Sequence, residues 1–274
     1  MPKWLPEAAP ELAERLERAP SVTLFLDYDG TLAPIAATPE QARLAAPVRR
    51  LLGALSQRHR TMVISGRSLH DLRARIRLPA LLYAGNHGLE MEGPGWRFRV
   101  PGAAAVRPVL EGLLPRLQRS LDREAGVRIE DKGLTASVHY RQVAPERRDA
   151  VIRTVRETVA AFTDRIRLVP GKQVLELRPR IPWHKGKAVL WVLRRCYGSR
   201  WPEATLPLYL GDDRTDRDAF RTLGSDGVSV FVLSPEARAP EAHYVLPHQG
   251  AVEPFLRWLL ERLAARHRGA GPAP

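Results

Sequence analysis

The chain has 274 residues, a formal net charge of +13 and 44% apolar residues, enough for one large domain carrying an insertion. No apolar run approaches the ~20 residues that cross a bilayer, and Cys196, the single cysteine, excludes an internal disulfide. The charge comes from scattered arginine beside only five lysines, with no dense basic block and no interleaved aromatics, which argues against a nucleic-acid partner.

Residues 1–20 are charged and helix-like, with Glu7, Glu11, Glu14, Arg15 and Arg18. They lack the apolar centre of a signal peptide, so a cytoplasmic protein is expected. Residues 22–26 form an apolar run, as in a parallel strand buried on both faces, and end in Asp27-Tyr28-Asp29-Gly30-Thr31. Pro47 and the period Val48, Leu51, Leu52, Leu55 predict a helix within 39–60. A short strand at 61–64 ends in Ser65-Gly66-Arg67, a helix follows at 69–76, and a strand at 81–83 ends in Gly85-Asn86-His87-Gly88. This alternation predicts a doubly wound parallel sheet. Met91, Trp96, Phe98 and Val100 suggest a hairpin around Gly93-Pro94-Gly95.

The texture then changes. Helices are predicted at 106–121 and 146–162. Each is followed by two strands, 127–130 with 134–140 and 166–169 with 173–177, the second pair turning at Pro170-Gly171. Such a run makes an antiparallel sheet with helices on one face. The fold class is therefore α/β: a doubly wound core, 1–103 and 178–274, with an α+β cap inserted at 104–177. The core resumes with a helix at 185–196 and a strand at 206–210 that runs into Gly211-Asp212-Asp213-Arg214-Thr215-Asp216. A helix at 219–223, strands at 228–233 and 244–246 and a helix at 254–265 follow. The Gly/Ala/Pro-rich tail 268–274 is expected to be disordered.

In open α/β sheets ligands sit outside the carboxyl ends of the strands, where Asp27, Asp29, Ser65 and Asp212 fall. Two carboxylates one residue apart repel unless a proton or cation resolves them, and an oxygen-ligated Mg²⁺ would do so. Taken singly, each group has a plainer reading. Asp-Gly marks turns, Ser-Gly-Arg is a loop, and 212–216 is a turn with an N-cap. That acidic run also lacks the twelve-residue spacing of an EF-hand.

Together and in this order, Asp27-Tyr28-Asp29-Gly30-Thr31, Ser65, Lys185 and Gly211-Asp212-Asp213 resemble the haloacid dehalogenase superfamily of phosphotransferases. Further segments narrow the resemblance to its trehalose-6-phosphate phosphatase family. They are Asn86-His87-Gly88-Leu89-Glu90, Glu130-Asp131-Lys132-Gly133, His139-Tyr140-Arg141, and Lys172 with Glu176-Leu177-Arg178-Pro179. Arg217 departs from the glutamate usual there.

The resemblance implies a Mg²⁺-dependent hydrolysis of a sugar phosphate. Asp27 would attack phosphorus and form an aspartyl-phosphate, while Asp29 protonates the leaving sugar oxygen and then activates water. Ser65 and Lys185 would grip the phosphoryl oxygens. Asp27, Asp29 through its backbone carbonyl, and Asp212 or Asp213 would hold the metal, with Asp216 supporting from behind. Lys172 and Glu176, four apart on a strand, are expected on one face of the cap to meet the sugar, against the alternative of an exposed ion pair. Lys132 and Arg141 are further candidates, and Asn86 and His87 would reach the sugar from the core. His139 is left between a ligand and a packed strand residue. The cap is expected to hinge near Pro101-Gly102 and 179–182.

The expected partner is a small-molecule sugar phosphate, with no membrane or nucleic acid, in a monomer, and with functional pairing to a trehalose-6-phosphate synthase. Competing readings are a capped phosphatase of sucrose phosphate or mannosyl-phosphoglycerate, and an anion-binding module on a phosphatase fold.

Overall fold

Every residue of the strand Val22–Asp27 is buried, and its two faces feed two different cores. Leu24 and Leu26 pack in one cluster and Phe25 in the other, as a strand flanked by helices on both sides requires. The computed structural model describes residues 3–234 and 241–269. It divides into two compact units, Met1–Phe98 with Trp183–Pro274, and Arg99–Pro182. These limits lie a few residues outside 104 and 177.

In chain order the first unit opens with β1 (Lys3–Trp4), α1 (Leu5–Arg18), β2 (Val22–Asp27), α2 (Ala46–Arg58) and β3 (Arg60–Ile64). It continues with α3 (Leu69–Ile76), β4 (Leu82–Gly85), β5 (Glu90–Gly93) and β6 (Trp96–Arg99). The second unit supplies α4 (Arg107–Leu121), β7 (Arg128–Asp131), β8 (Ala136–His139), α5 (Arg148–Val159), β9 (Ile166–Gly171) and β10 (Val174–Pro179). The chain returns through α6 (Lys185–Tyr197), α7 (Trp201–Ala204), β11 (Leu206–Gly211) and α8 (Arg217–Leu223). It closes with β12 (Val228–Val232), β13 (Tyr244–Leu246) and α9 (Val252–Gly269). Of the tail expected to be loose, 268 and 269 end α9 and the rest lies outside the described residues. Among the described residues no helix is long and apolar enough to cross a membrane.

The large sheet runs β1-β13-β12-β11-β2-β3-β4-β5-β6. It is parallel from β1 through β4, and β5 returns antiparallel to β4. Leucines of α1, α2, α3 and α9 cover one face, and Val189, Val192, Phe220 and Leu223 of α6 and α8 cover the other. Because β11, β2, β3 and β4 are neighbours in register, the loops after Asp27, Ile64, Gly85 and Gly211 leave the same end of the sheet side by side.

The smaller sheet runs β7-β8-β10-β9 and is antiparallel throughout. Ala136, Val138, Leu175 and Leu177 join Leu110, Leu113, Leu117, Val151 and Val155 of the helices in one core. One expectation needs correction here. β9 continues through Pro170 and Gly171, and the turn falls on the next two residues, with Gln173 at φ 60°. Proline is tolerated because β9 is an edge strand. Lys172 is therefore in the hairpin turn, and four-residue alternation along a strand does not place it beside Glu176.

Candidate active site

The end of β2 is shaped by Gly30, whose φ is +88°. A Cβ there would land on the Asp212 carboxylate, so glycine is needed both for the left-handed turn and for the approach of the two loops. Thr31 closes the same contact, its hydroxyl donating to Asp212 Oδ1 at 3.2 Å. Gln249 braces the loop from outside, donating to the Thr31 carbonyl at 3.1 Å.

Asp27, Asp212 and Asp216 bring one carboxylate oxygen each to within 4.8 Å of one another, and all three are buried. Lys185, at the start of α6 and 3% exposed, donates to Asp27 Oδ1 at 2.5 Å and to Asp216 Oδ1 at 2.7 Å. Burial opposes the ammonium, but Asp216 and Asp27 outweigh it and hold Lys185 well above its ordinary value. Burial lifts the Asp27 carboxyl well above its own; Lys185 pulls it back, and Asp216 and Asp212 push it further up. Three carboxylates facing one ammonium leave an excess of negative charge. An oxygen-preferring divalent cation suits such a donor set.

Asp216 is fully engaged. Its Oδ1 takes Lys185 and the Tyr209 hydroxyl, the latter at 2.7 Å. Its Oδ2 takes the backbone N–H groups of Asp212 (3.0 Å) and Asp213 (2.9 Å). It therefore shapes the acidic loop and anchors Lys185. Asp213 faces elsewhere: its Oδ1 accepts both the Thr215 N–H and the Thr215 hydroxyl. Burial works against that carboxylate, yet Lys185, Thr215 and His87 together hold it below its ordinary value. Of the two adjacent acids it is Asp212 that stands with Asp27.

Asp29 lies outside this trio. Arg67 donates Nε to its Oδ2 at 2.8 Å and Nη2 to its Oδ1 at 2.6 Å. The strand's alternation stops at Asp27, so Asp29 does not simply repeat its direction. Ser65 is buried at the tip of β3, with Oγ 3.5 Å from Asp29 Oδ2 and accepting the Arg67 N–H at 3.2 Å. Asn86 and His87 both take left-handed backbone, at φ 50° and 58°. Asn86 is 0% exposed and its amide donates to Glu90 Oε1 at 2.8 Å, which braces the turn. His87 is buried.

In the second unit Glu130, Ser137 and Glu176 stand in register across β7, β8 and β10, on the face turned away from the helices. His139 bonds Glu130 Oε2 at 2.9 Å, which resolves it as part of this polar row. Lys132 lies 3.8 Å from Glu130. Glu176 is held by Arg178, and Arg141 donates to the Lys172 carbonyl at 3.0 Å. Sequence reasoning gave no role to Arg67, Thr31 or Tyr209. Arg67 was visible within Ser-Gly-Arg, whereas Tyr209 sits inside an apolar strand and gives no signal.

Residues 25–246 match the trehalose-phosphatase family. The chain is 34% identical to trehalose 6-phosphate phosphatase RA3 of Zea mays over 97% of its own length and 76% of that protein. It is 39% identical to a trehalose-phosphate phosphatase of Mycobacterium tuberculosis over 92% of its length, spanning 63% of that relative. The fold is shared with the C-terminal domain of a Candida albicans trehalose-6-phosphate phosphatase, with TM-score 0.80 and 23% identity over 95% of this chain and 99% of that one. With buried acids grouped at adjacent strand tips and a match over most of its length, the chain belongs to the trehalose-phosphatase family.

Proposed function

We propose that the protein hydrolyses trehalose 6-phosphate to trehalose and phosphate through an aspartyl-phosphate on Asp27. The observation that carries this reading is the buried cluster of Asp27 and Asp212, where the neighbouring strands β2 and β11 end, with Lys185 at the start of α6 and Asp216 just before α8. Asp27 attacks phosphorus, and the sugar oxygen leaves with a proton from Asp29. Water then attacks the aspartyl-phosphate, gives its proton to Asp29 and restores the Asp27 carboxylate. Lys185 and Ser65 hold the phosphoryl oxygens, and the Tyr209–Asp216 bond keeps the ammonium in place.

Asp27, Asp212 and the Asp29 backbone carbonyl would hold Mg²⁺, which when bound offsets the repulsion between a dianionic phosphate and a carboxylate nucleophile. Choice of sugar is assigned to the polar sheet face of the second unit, a cap spanning 99–182, with Glu130, Lys132, His139, Arg141, Lys172 and Glu176 as its candidates. Asn86 and His87 are kept as the core-side candidates. A monomer located in the cytoplasm and working beside a synthase completes the reading; the lone cysteine supports the compartment.

The test is phosphate release from trehalose 6-phosphate by wild type and Asp27→Asn, each with Mg²⁺ and with chelator. Turnover is expected only for wild type with Mg²⁺, while Asp27→Asn keeps its fold. Undiminished turnover by Asp27→Asn would sink the mechanism. Faster release from sucrose phosphate or mannosyl-phosphoglycerate would move the substrate.

A further inference from the structure

Behind Asp29 the structure holds an ion ladder that the proposed reaction does not yet use. Arg67 is 5% exposed, and each of its three nitrogens donates to an acceptor. Nε and Nη2 grip both oxygens of Asp29, Nη2 also reaches the Pro39 carbonyl at 2.9 Å, and Nη1 reaches Asp71 Oδ2 at 2.8 Å. Its guanidinium also lies over the buried Tyr28 ring, 5.2 Å from the centroid. Asp71 stands in the first turn of α3, where Ser68 caps its N–H. The same Asp71 oxygen accepts Arg75 Nε at 2.7 Å, and Arg75 Nη1 ties down the carbonyls of Ala42 (3.0 Å) and Glu40 (3.3 Å). Burial pulls the Asp71 carboxyl up, but the Arg75 and Arg67 bonds outweigh it and keep it below its ordinary value.

A forked guanidinium uses one lone pair on each carboxylate oxygen and leaves the others able to accept. Asp29 so held is an oriented acceptor, the form suited to taking a proton from water. We propose that Asp71 is a positioning residue for the hydrolytic half of the reaction, acting through Arg67 to hold Asp29 where it receives the proton of the attacking water. In that step the water oxygen bonds phosphorus, one water proton passes to Asp29, and the bond from phosphorus to the Asp27 oxygen breaks with its electron pair returning to Asp27. Asp29 gives the proton up to the next departing sugar oxygen. Arg75 and the carbonyls of 40 and 42 brace the ladder from the outer end. The inference rests on the reading of Asp29 as the proton carrier.

The test uses the full chain with Mg²⁺ and ³²P-labelled trehalose 6-phosphate, comparing wild type, Asp71→Asn, Asp71→Glu and Asp29→Asn. Because kcat/KM reports only steps through release of the sugar, a defect confined to hydrolysis has a distinct pattern. For Asp71→Asn, kcat is expected to fall by about tenfold to a hundredfold and by more than kcat/KM, because the guanidinium grips the ionised carboxylate that receives the water's proton more firmly than the neutral acid that serves the departing sugar. Acid quench should trap a larger labelled fraction of enzyme at steady state, and Asp71→Glu should recover most of kcat. Should Asp71→Asn not fold, Arg75→Met removes only the outer brace and is read for the same pattern. Wild-type kcat in Asp71→Asn overturns the proposal, as does an equal fall in kcat and kcat/KM without label accumulation. If Asp29→Asn itself turns over normally, the reading of Asp29 fails; if it is inactive while Asp71→Asn behaves as wild type, only the role of Asp71 fails.

Discussion

Replacing Lys185 by methionine removes one charge from a site that holds four. The side chain is 3% exposed, and its ammonium is the hydrogen-bond partner of Asp27 at 2.5 Å and of Asp216 at 2.7 Å. Methionine fills comparable space, so the main effect is electrostatic: Asp27, Asp212 and Asp216 are left within 4.8 Å of one another. Breaking a buried pair from one side costs about 3–5 kcal/mol. At about 2–4 °C per kcal/mol for a unit of this size, Tm should fall by roughly 6–20 °C in chelator at pH 7.5. The pH dependence has a definite sign. Burial and its acidic neighbours already raise the Asp27 carboxyl above its ordinary 3.8, and loss of Lys185 removes the downward pull of its charge and hydrogen bond. A carboxyl raised in the folded state costs stability as pH climbs from the unfolded value through the folded one. The deficit should therefore widen as pH rises above 3.8 toward the raised folded value, and Mg²⁺ should narrow it. Calorimetry across that range checks this. A variant melting within about 2 °C of wild type in chelator at pH 7.5 would refute the reasoning.

Three other changes probe the surroundings. Gly30→Ala strains a left-handed turn and drives a Cβ into Asp212, so the Mg²⁺ concentration giving half-maximal activity should rise at least about tenfold, read by metal titration. Tyr209→Phe deletes a buried bond to a carboxylate and should cost about 1.5–3 kcal/mol in denaturant unfolding. Outside the site, His243 Nδ1 accepts the Ser229 N–H at 3.1 Å. Burial and then Arg15 lower its pKa from 6.5, so this contribution is present above 6.5 and lost as pH falls through the folded value. His243→Gln should flatten the acid side of a stability curve measured from pH 7.5 to 5.

The sheet and the acids at its rim were legible because apolar runs and strand-end motifs carry independent signals: buried residues on β2 and β11, then Asp27 and Asp212 immediately after. What the sequence withheld was direction. Asp212 and Asp213 are equivalent on paper, and only the closing of Thr215 onto Asp213 separates them. Pro170-Gly171 has the composition of a turn, but the positive φ falls on Gln173, which moves Lys172 off the strand. Asn86 lies in a motif that suggests ligand contact, and its amide also braces the turn through Glu90, a bond the motif alone does not announce. Tyr209 reads as core and serves the site from within the core.

The pairing of β2 with β11 also has a temporal side. Leu24 meets Leu208 and Leu26 meets Leu210, although the whole smaller unit is encoded between them. At about 5–20 residues per second, a ribosome needs roughly 10–40 s to deliver the missing neighbour. During that interval Val22–Asp27, with Val22, Leu24, Phe25 and Leu26 apolar, has a bare flank open to any passing strand. Biogenesis is thus exposed at the very segment on which turnover depends, and slowing translation between the two strands should lower the yield of native enzyme before it changes anything the mature enzyme does.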